Sequence, residues 1–353
     1  MSVKDNAKKF WDLFCSLENE IKDGLVHQNY EILNKDVEAL DDLCYEMTGC
    51  HFFVENLYDE FECTFDTGPN KTCQLVAQFF AQMAPQTIKR NWIINDCLPP
   101  LSSKALMATV KIKDTDYTIQ DFFVSYGIDE NQNMVHAKVY CPGYYLIDNT
   151  ENKKEMSMYL LELALGETSY EAYLSSIDYI DECKEVESFC PIYEFYDKLM
   201  DIVEKNHWQN YNSPLDIYSV YKPIQDITHD SLRKDMKMIF TTHPILLEET
   251  IENKNDVLAD MESKGGEYGY IYYINLYGNE DDALIRQEIS KKINQQLQKN
   301  LIGKVIGGSI GKSYSYIDLA IYDSKVFTIV FNKIKRQLDD QVELFYQSFQ
   351  AKN

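Results

Sequence analysis

The spacing of apolar residues along this chain switches between three-to-four and two, and neither an all-helical nor an all-strand fold accommodates both periods. Phe10, Phe14, Leu17 and Ile21 stand four, three and four apart, the stripe of a surface helix over residues 7–22, and Leu33, Val37, Leu40, Cys44 and Met47 repeat the device. Together they predict an opening helical hairpin that turns around Gly24. From residue 50 the period becomes two: Phe61, Cys63 and Phe65 alternate with Glu60, Glu62, Thr64 and Asp66, a half-buried strand that pairs with the preceding 51–57 segment.

Thr72 is placed to cap a helix carrying Leu75, Val76, Phe79, Phe80 and Met83, which Pro85 closes. Strands are then expected at 92–97, 106–112, 122–126 and 135–141, a helix at 154–165 and a strand at 175–183. A helix over 193–203 follows Pro191. Beyond it come a Glu- and Asn-rich helix at 248–263, a strand at 270–277, a helix through Leu284, Ile289, Ile293 and Leu297, and a Gly-rich turn at 303–311. A strand at 314–322 and a helix from Phe327 to Leu338 complete the pattern. Runs of strands punctuated by helices define an α+β protein. Its 353 residues exceed what one core usually serves, which predicts two domains, 1–186 and 187–353. Each is expected to be an antiparallel sheet with helices mainly on one face, of ferredoxin-like form.

Charge narrows the partners. Thirty-four Lys and Arg against 57 Asp and Glu leave a net charge of -23, which repels phosphate backbones and anionic lipid and attracts basic proteins. A basic protein partner is therefore expected, with no nucleic acid and no membrane. The nine cysteines all lie in the first 190 residues, without a CxxC, most beside large apolar residues. That usage fits reduced, buried thiols in a cytoplasmic protein, with no structural metal and no cofactor. The N-terminus lacks the apolar stretch of a leader peptide.

Three motifs invite chemistry and fall short of it. Gly307-Gly308-Ser309-Ile310-Gly311-Lys312-Ser313 resembles a phosphate-binding loop, but Ile306 occupies the position of its first glycine and the segment opens a strand rather than a helix. Asp129, Asn131 and Asn133 resemble the first ligands of a calcium loop, yet Met134 and Tyr140 stand where that loop needs Gly and Glu; a hairpin turn accounts for them. Cys141 ends a strand with no neighbouring base, which makes it a structural thiol. The better place for acid–base chemistry is His243, with Glu248 or Glu249 as carboxylate partner, the arrangement a hydrolase or transferase would use.

The tyrosines carry more weight. Of 26, Tyr273 and Tyr277 fall on one C-terminal strand and Tyr314, Tyr316 and Tyr322 on another, where Ile317, Leu319 and Ile321 alternate with Tyr316, Asp318, Ala320 and Tyr322. One face is thus core and the other aromatic with polar tips. If helices cover a single face, Tyr273, Tyr277, Tyr314, Tyr316, Asp318 and Tyr322 form an open contact surface; the competing expectation is that they pack on the N-terminal half. The resulting reading is a non-enzymatic protein-binding or regulatory protein, including one that neutralises a basic partner.

Parts of the first half, about residues 8–180, resemble an uncharacterised bacterial family: Phe10-Trp11-x-x-Phe14, Ala84-Pro85 followed by Trp92, Tyr140-x-Pro142-Gly143-Tyr144, and Leu163-x-Leu165-Gly166-Glu167. The resemblance implies a bacterial cytoplasmic protein and carries no activity, cofactor or site residue.

Overall fold

The computed structural model describes every residue except 58–59, 182–188, 224–231, 279, 339 and 350–353. Helix α1 (Val3–His27) starts at a capping box in which Asp5 N donates to Ser2 Oγ (3.2 Å) and Ser2 N donates to the Asp5 carboxylate (3.1 Å). It runs through Gly24 rather than turning there, and the reversal into α2 (Tyr30–Thr48) comes at Gln28. Gly24 instead lets the two helices approach: a Cβ on it would stand 3.3 Å from Leu33 Cβ.

The hairpin of β1 (His51–Leu57) and β2 (Glu60–Asp66) forms in the register that pairs Phe52 with Phe65. Asn70, rather than Thr72, caps α3 (Lys71–Met83), accepting from the amides of Thr72 and Cys73. After the short α4 (Gln86–Lys89), β3 (Ile93–Asn95) joins β2 in parallel.

A middle region follows. Helix α5 (Ser103–Met107) occupies part of an expected strand, and β4 (Thr109–Ile112) and β5 (Thr115–Thr118) make a separate hairpin. Strands β6 (Phe123–Asp129) and β7 (Met134–Tyr140) pair antiparallel, and β7 alternates as anticipated, with Val135, Ala137 and Val139 buried and His136 and Lys138 exposed. Helix α6 (Thr150–Tyr173) delivers β8 (Leu174–Ile180) parallel to β7, and β9 (Cys190–Pro191) closes the sheet in the order β8-β7-β6-β9 before α7 (Phe195–Lys205). Helix α6 is broken at Gly166 (φ 71°, ψ 158°), a conformation open to glycine, and the 98–101 segment enters the break: Leu101 N donates to Leu163 O and Glu167 N to Leu98 O. The boundary expected near residue 186 falls outside the described residues.

The last region comprises β10 (Ser219–Tyr221), β11 (Met236–Thr241), α8 (Pro244–Glu252), α9 (Asp256–Ser263), β12 (Glu267–Ile274), α10 (Asp281–Lys299), β13 (Gly303–Gly311), β14 (Tyr314–Ile321), α11 (Ser324–Leu338) and β15 (Phe345–Ser348). Its six strands form one antiparallel sheet, β10-β11-β13-β14-β12-β15. The expected Gly-rich turn at 303–311 is itself strand β13, and the single helix expected at 248–263 is two, α8 and α9.

The α+β class is therefore as read, with two departures. Parallel pairs (β2–β3 and β7–β8) occur beside the antiparallel ones. The first half carries several small sheets rather than one sandwich. Packing explains how these parts hold together. One core lies between α10, α11 and the sheet residues Ile271, Ile317, Leu319 and Ile321. A second fills the middle region around Phe122, Val139, Leu161 and Phe195. The third joins α1, α3, α8 and α9 to the opposite face of the large sheet, uniting residues from both sides of the expected boundary. Helices thus cover both faces of that sheet, not mainly one.

Candidate functional site

The tyrosine pattern places its residues in three environments. Tyr314, Tyr316, Asp318 and Tyr322 share one face of β14 and its end, as their alternation requires. Tyr273 pairs with Ser315 and lies on the other face, in the core under α10, where burial pushes its phenol up to about 12. Tyr277 stands beyond the end of β12 and is 65% exposed. The shared face is covered. Tyr322 packs against Phe79 of α3 (ring centroids 4.3 Å apart, planes tilted by 34°) and donates to Leu75 O at 3.1 Å. Tyr268 shares a hydrogen bond with Thr72 at 3.0 Å. Tyr316 is fully buried; its hydroxyl donates to Asp235 Oδ1 at 2.5 Å and accepts from Arg233 N at 2.9 Å. The expected open surface is the joint between the first helices and the C-terminal sheet.

At its centre is an arginine that no periodicity announces. The Arg233 guanidinium carbon lies 4.8, 5.3 and 4.7 Å from the ring centroids of Tyr270, Tyr316 and Phe349, and Nη1 meets Asp318 Oδ1 at 2.6 Å. Asp318 is fully buried and the Arg233 side chain keeps 13% of its surface, so the ion pair is largely shielded from solvent. Asp235, also buried, accepts from the amides of Ser313 and Tyr314 through Oδ2. The glycine-rich segment serves these contacts: a Cβ on Gly311 would stand 2.1 Å from Asp235 Oδ2. The alternation of Tyr268, Tyr270 and Tyr272 in the sequence was the one available signal for the rest of the cluster.

His243 is buried and caps α8, its Nδ1 accepting from Leu246 N at 3.3 Å, while its ring meets Tyr268 edge-on. Burial drives its pKa down to about 3, with Lys71 adding to the effect, so the imidazole is neutral at physiological pH. Glu249 accepts from Val257 N at 2.8 Å, and Glu248 is exposed; neither forms a hydrogen bond with His243. The thiols point the same way. Burial raises Cys63, Cys97 and Cys141, the last to about 11, which leaves them unreactive. Asp129 holds its hairpin turn by accepting from Asn131 N and Gln132 N. Among the described residues no cluster of His, Cys, Asp and Glu could hold a metal ion, and no helix is long and apolar enough to cross a membrane.

A cleft of about 310 Å³ opens where the 94–100 segment, the break in α6 and α7 meet; Asp96, Cys97, Ser169, Tyr196, Tyr211 and Asn212 line it. From Asp96 a polar chain runs into the protein. Lys304 Nζ donates to Gln78 Oε1 (2.7 Å), and Gln78 Nε2 donates to Asp96 Oδ2 (3.2 Å). Burial lowers the pKa of Lys304 and raises that of Asp96, since each charge is poorly hydrated. Nearby, Glu167 accepts from Thr67 N and Gly68 N, and burial lifts its carboxyl to about 8. These groups stitch α3, α6 and β13 together.

The fold places the chain in the α+β class. No family model, curated protein or solved structure matches it.

Proposed function

We propose that this chain is a non-catalytic binding protein that engages a basic protein partner through the acidic surface of α2, α8 and α9. Supporting this reading, Tyr30–Thr48 contains six acidic residues and one basic, and 244–263 likewise contains six and one. Glu38, Asp42, Glu46, Glu248, Glu252 and Glu262 are exposed. The two stretches are neighbours, because Gly49 after α2 abuts Lys264 after α9: a Cβ there would stand 3.2 Å from Lys264 Nζ. Tyr45, Ile245 and Ile251 stand exposed among these acids and supply the apolar contacts that hold a partner once charge has drawn it in. The observation that carries the reading is that two acid-rich stretches with exposed apolar residues, α2 and α8–α9, meet at Gly49 and Lys264, while the buried His and Cys groups serve structure.

The test is capture from lysate at about 0.1 M and about 1 M salt, between which the Debye length falls from about 10 to about 3 Å. The wild-type chain is compared with Glu38→Lys/Asp42→Lys/Glu46→Lys and with Asp114→Lys/Asp116→Lys, which reverses charge on the distant β4–β5 turn. A basic protein retained by wild type and the turn variant, and lost with the α2 reversal and at high salt, is expected. Equal retention by both charge-reversed variants, or recovery of no basic protein, contradicts the proposal.

The same reading includes cytoplasmic residence, supported by the free cysteines, of which seven are buried among the eight in the described residues. It also includes a ferredoxin-like ancestry for 267–348, supported by the element order β12-α10-β13-β14-α11-β15 and the strand order β13-β14-β12-β15.

A further inference from the structure

Helices α10 and α11 cover only part of their face of the large sheet. Strand pairing sets Val220 opposite Phe240 and Phe240 opposite Gly308, with Met238 opposite Ile310 in the next row. These residues belong to the face that α10 covers farther along, where Gly308 pairs with Ile317. Toward β10 the cover stops: Val220 is 62% exposed, Met238 39% and Phe240 37%. Tyr218 lies flat on Phe240, with ring centroids 4.2 Å apart and planes within 5°. Strand β10 is also the edge of the sheet among the described residues, so its outer backbone groups have no ladder partner there.

At the margin between covered and open halves sits Arg286 of α10. Its Nη1 lies over the sheet at Gly308, where a Cβ would come within 2.6 Å. Gly308 is thus the glycine of the phosphate-loop-like motif that admits an arginine to the sheet. The guanidinium is flanked by Tyr218 and Tyr273, and its Nε is buried without a hydrogen-bond partner among the described residues. Neither nearby carboxylate bonds to it. Asp318 acts on it through charge from the opposite face, where its Oδ1 holds Arg233 and its buried Oδ2 has no hydrogen-bond partner among the described residues, and Asp282 accepts from the amides of Leu276, Tyr277 and Gly278. An arginine keeps its charge in any such setting, so a charged side chain with no ion-pair partner among the described residues and an unpaired Nε beside an apolar shelf calls for an anion.

We propose that the β10–β11 shelf binds an extended peptide segment of a partner protein, which adds as a strand along β10, lays apolar side chains on Val220 and Phe240, and gives a carboxylate to Arg286. Backbone pairing supplies affinity and the carboxylate supplies register and selectivity, the division of labour seen in strand addition generally. The net charge of -23 opposes an acidic ligand at long range. At about 0.15 M salt that field decays over about 8 Å, whereas the guanidinium acts in contact, so the local charge prevails. This shelf lies on the face of the sheet opposite α8 and α9, and the two proposals rest on different residues.

The probes are an acetylated, amidated pentapeptide of alternating valine and glutamate and its valine–glutamine twin, titrated into the full chain at about 0.15 M salt and followed by NMR shift changes. The glutamate peptide is expected to bind saturably, with the glutamine twin at least about tenfold weaker. Arg286→Gln should abolish that difference, Arg286→Lys should restore part of it, and Phe240→Ser should weaken both peptides. The peptide pair on the unmodified chain tests the proposal even if a variant folds poorly. Absence of binding, equal binding of the two peptides, or a difference that survives Arg286→Gln overturns it. So does a dimer by light scattering that Phe240→Ser dissolves, which would assign the shelf to a second copy of the chain.

Discussion

Two arginines stand on opposite faces of the same sheet and have opposite surroundings. Arg233 is enclosed by Tyr270, Tyr316 and Phe349 and holds the buried Asp318 through Nη1, although its Nη2 and Asp318 Oδ2 have no hydrogen-bond partner among the described residues. Arg286 has its Nε buried and unpartnered at the edge of an exposed apolar shelf. The first residue completes the interior, whereas the second leaves it incomplete at the surface. The contrast teaches that aromatic density in a strand does not by itself mark a contact surface: the tyrosine-rich face is a joint, and the open face is aliphatic with a single stacked Tyr–Phe pair.

Removing each arginine should therefore have effects of opposite sign. Arg233→Leu strands a buried carboxylate and is expected to cost about 4 kcal/mol in urea denaturation. The next largest contrast separates the faces themselves. Tyr322→Ser should cost about 3 kcal/mol, through a cavity against Phe79 and a lost bond to Leu75, while Phe240→Ser should stay within about 1 kcal/mol. If the two serine variants lose comparable stability, the shelf is not open and the comparison fails.

Acid should probe the joint through His243. Its pKa is about 3 when folded against 6.5 for the free group, so the unfolded chain binds the proton more readily. The stability it contributes is fully present above pH 6.5 and is lost as pH falls toward 3. By about pH 5 the loss is about 2 kcal/mol, and His243→Asn, which can cap a helix without titrating, should flatten it. Glu167 works in the other direction. Raised to about 8 from 4.5, it stabilises below the lower value and loses that contribution as pH climbs to the upper one, a slope Glu167→Gln should remove. The smallest effect expected is a gain: Arg286→Leu should raise stability by up to about 1 kcal/mol, as relief of an unpaired buried donor at a binding site does.

Sequence periodicity revealed the alternation of β14 and β7, the β1–β2 hairpin and most helices, because those elements bury one face and the apolar spacing reports it directly. It placed Ile317, Leu319 and Ile321 on one side and Tyr316, Asp318 and Tyr322 on the other, as observed. What covers a face is a tertiary fact that spacing cannot encode, so an open surface and a joint with α3 looked alike. Strand β13 was hidden for a different reason: its glycines, which signal a turn locally, are required by an Arg286 guanidinium over Gly308 and an Asp235 carboxylate against Gly311. Arg233 and Arg286 lie in charge-rich, unpatterned stretches. Their roles depend on partners 85 and 22 positions away, Asp318 and Gly308.

The most direct measurement of the contrast is hydroxyl-radical footprinting of the intact chain, read residue by residue by mass spectrometry. The structure predicts rapid oxidation of Met238, Phe240 and Tyr277, with Tyr316 and Tyr322 protected until the chain unfolds. Protection of Met238 and Phe240 together with native-state oxidation of Tyr316 and Tyr322 would contradict it.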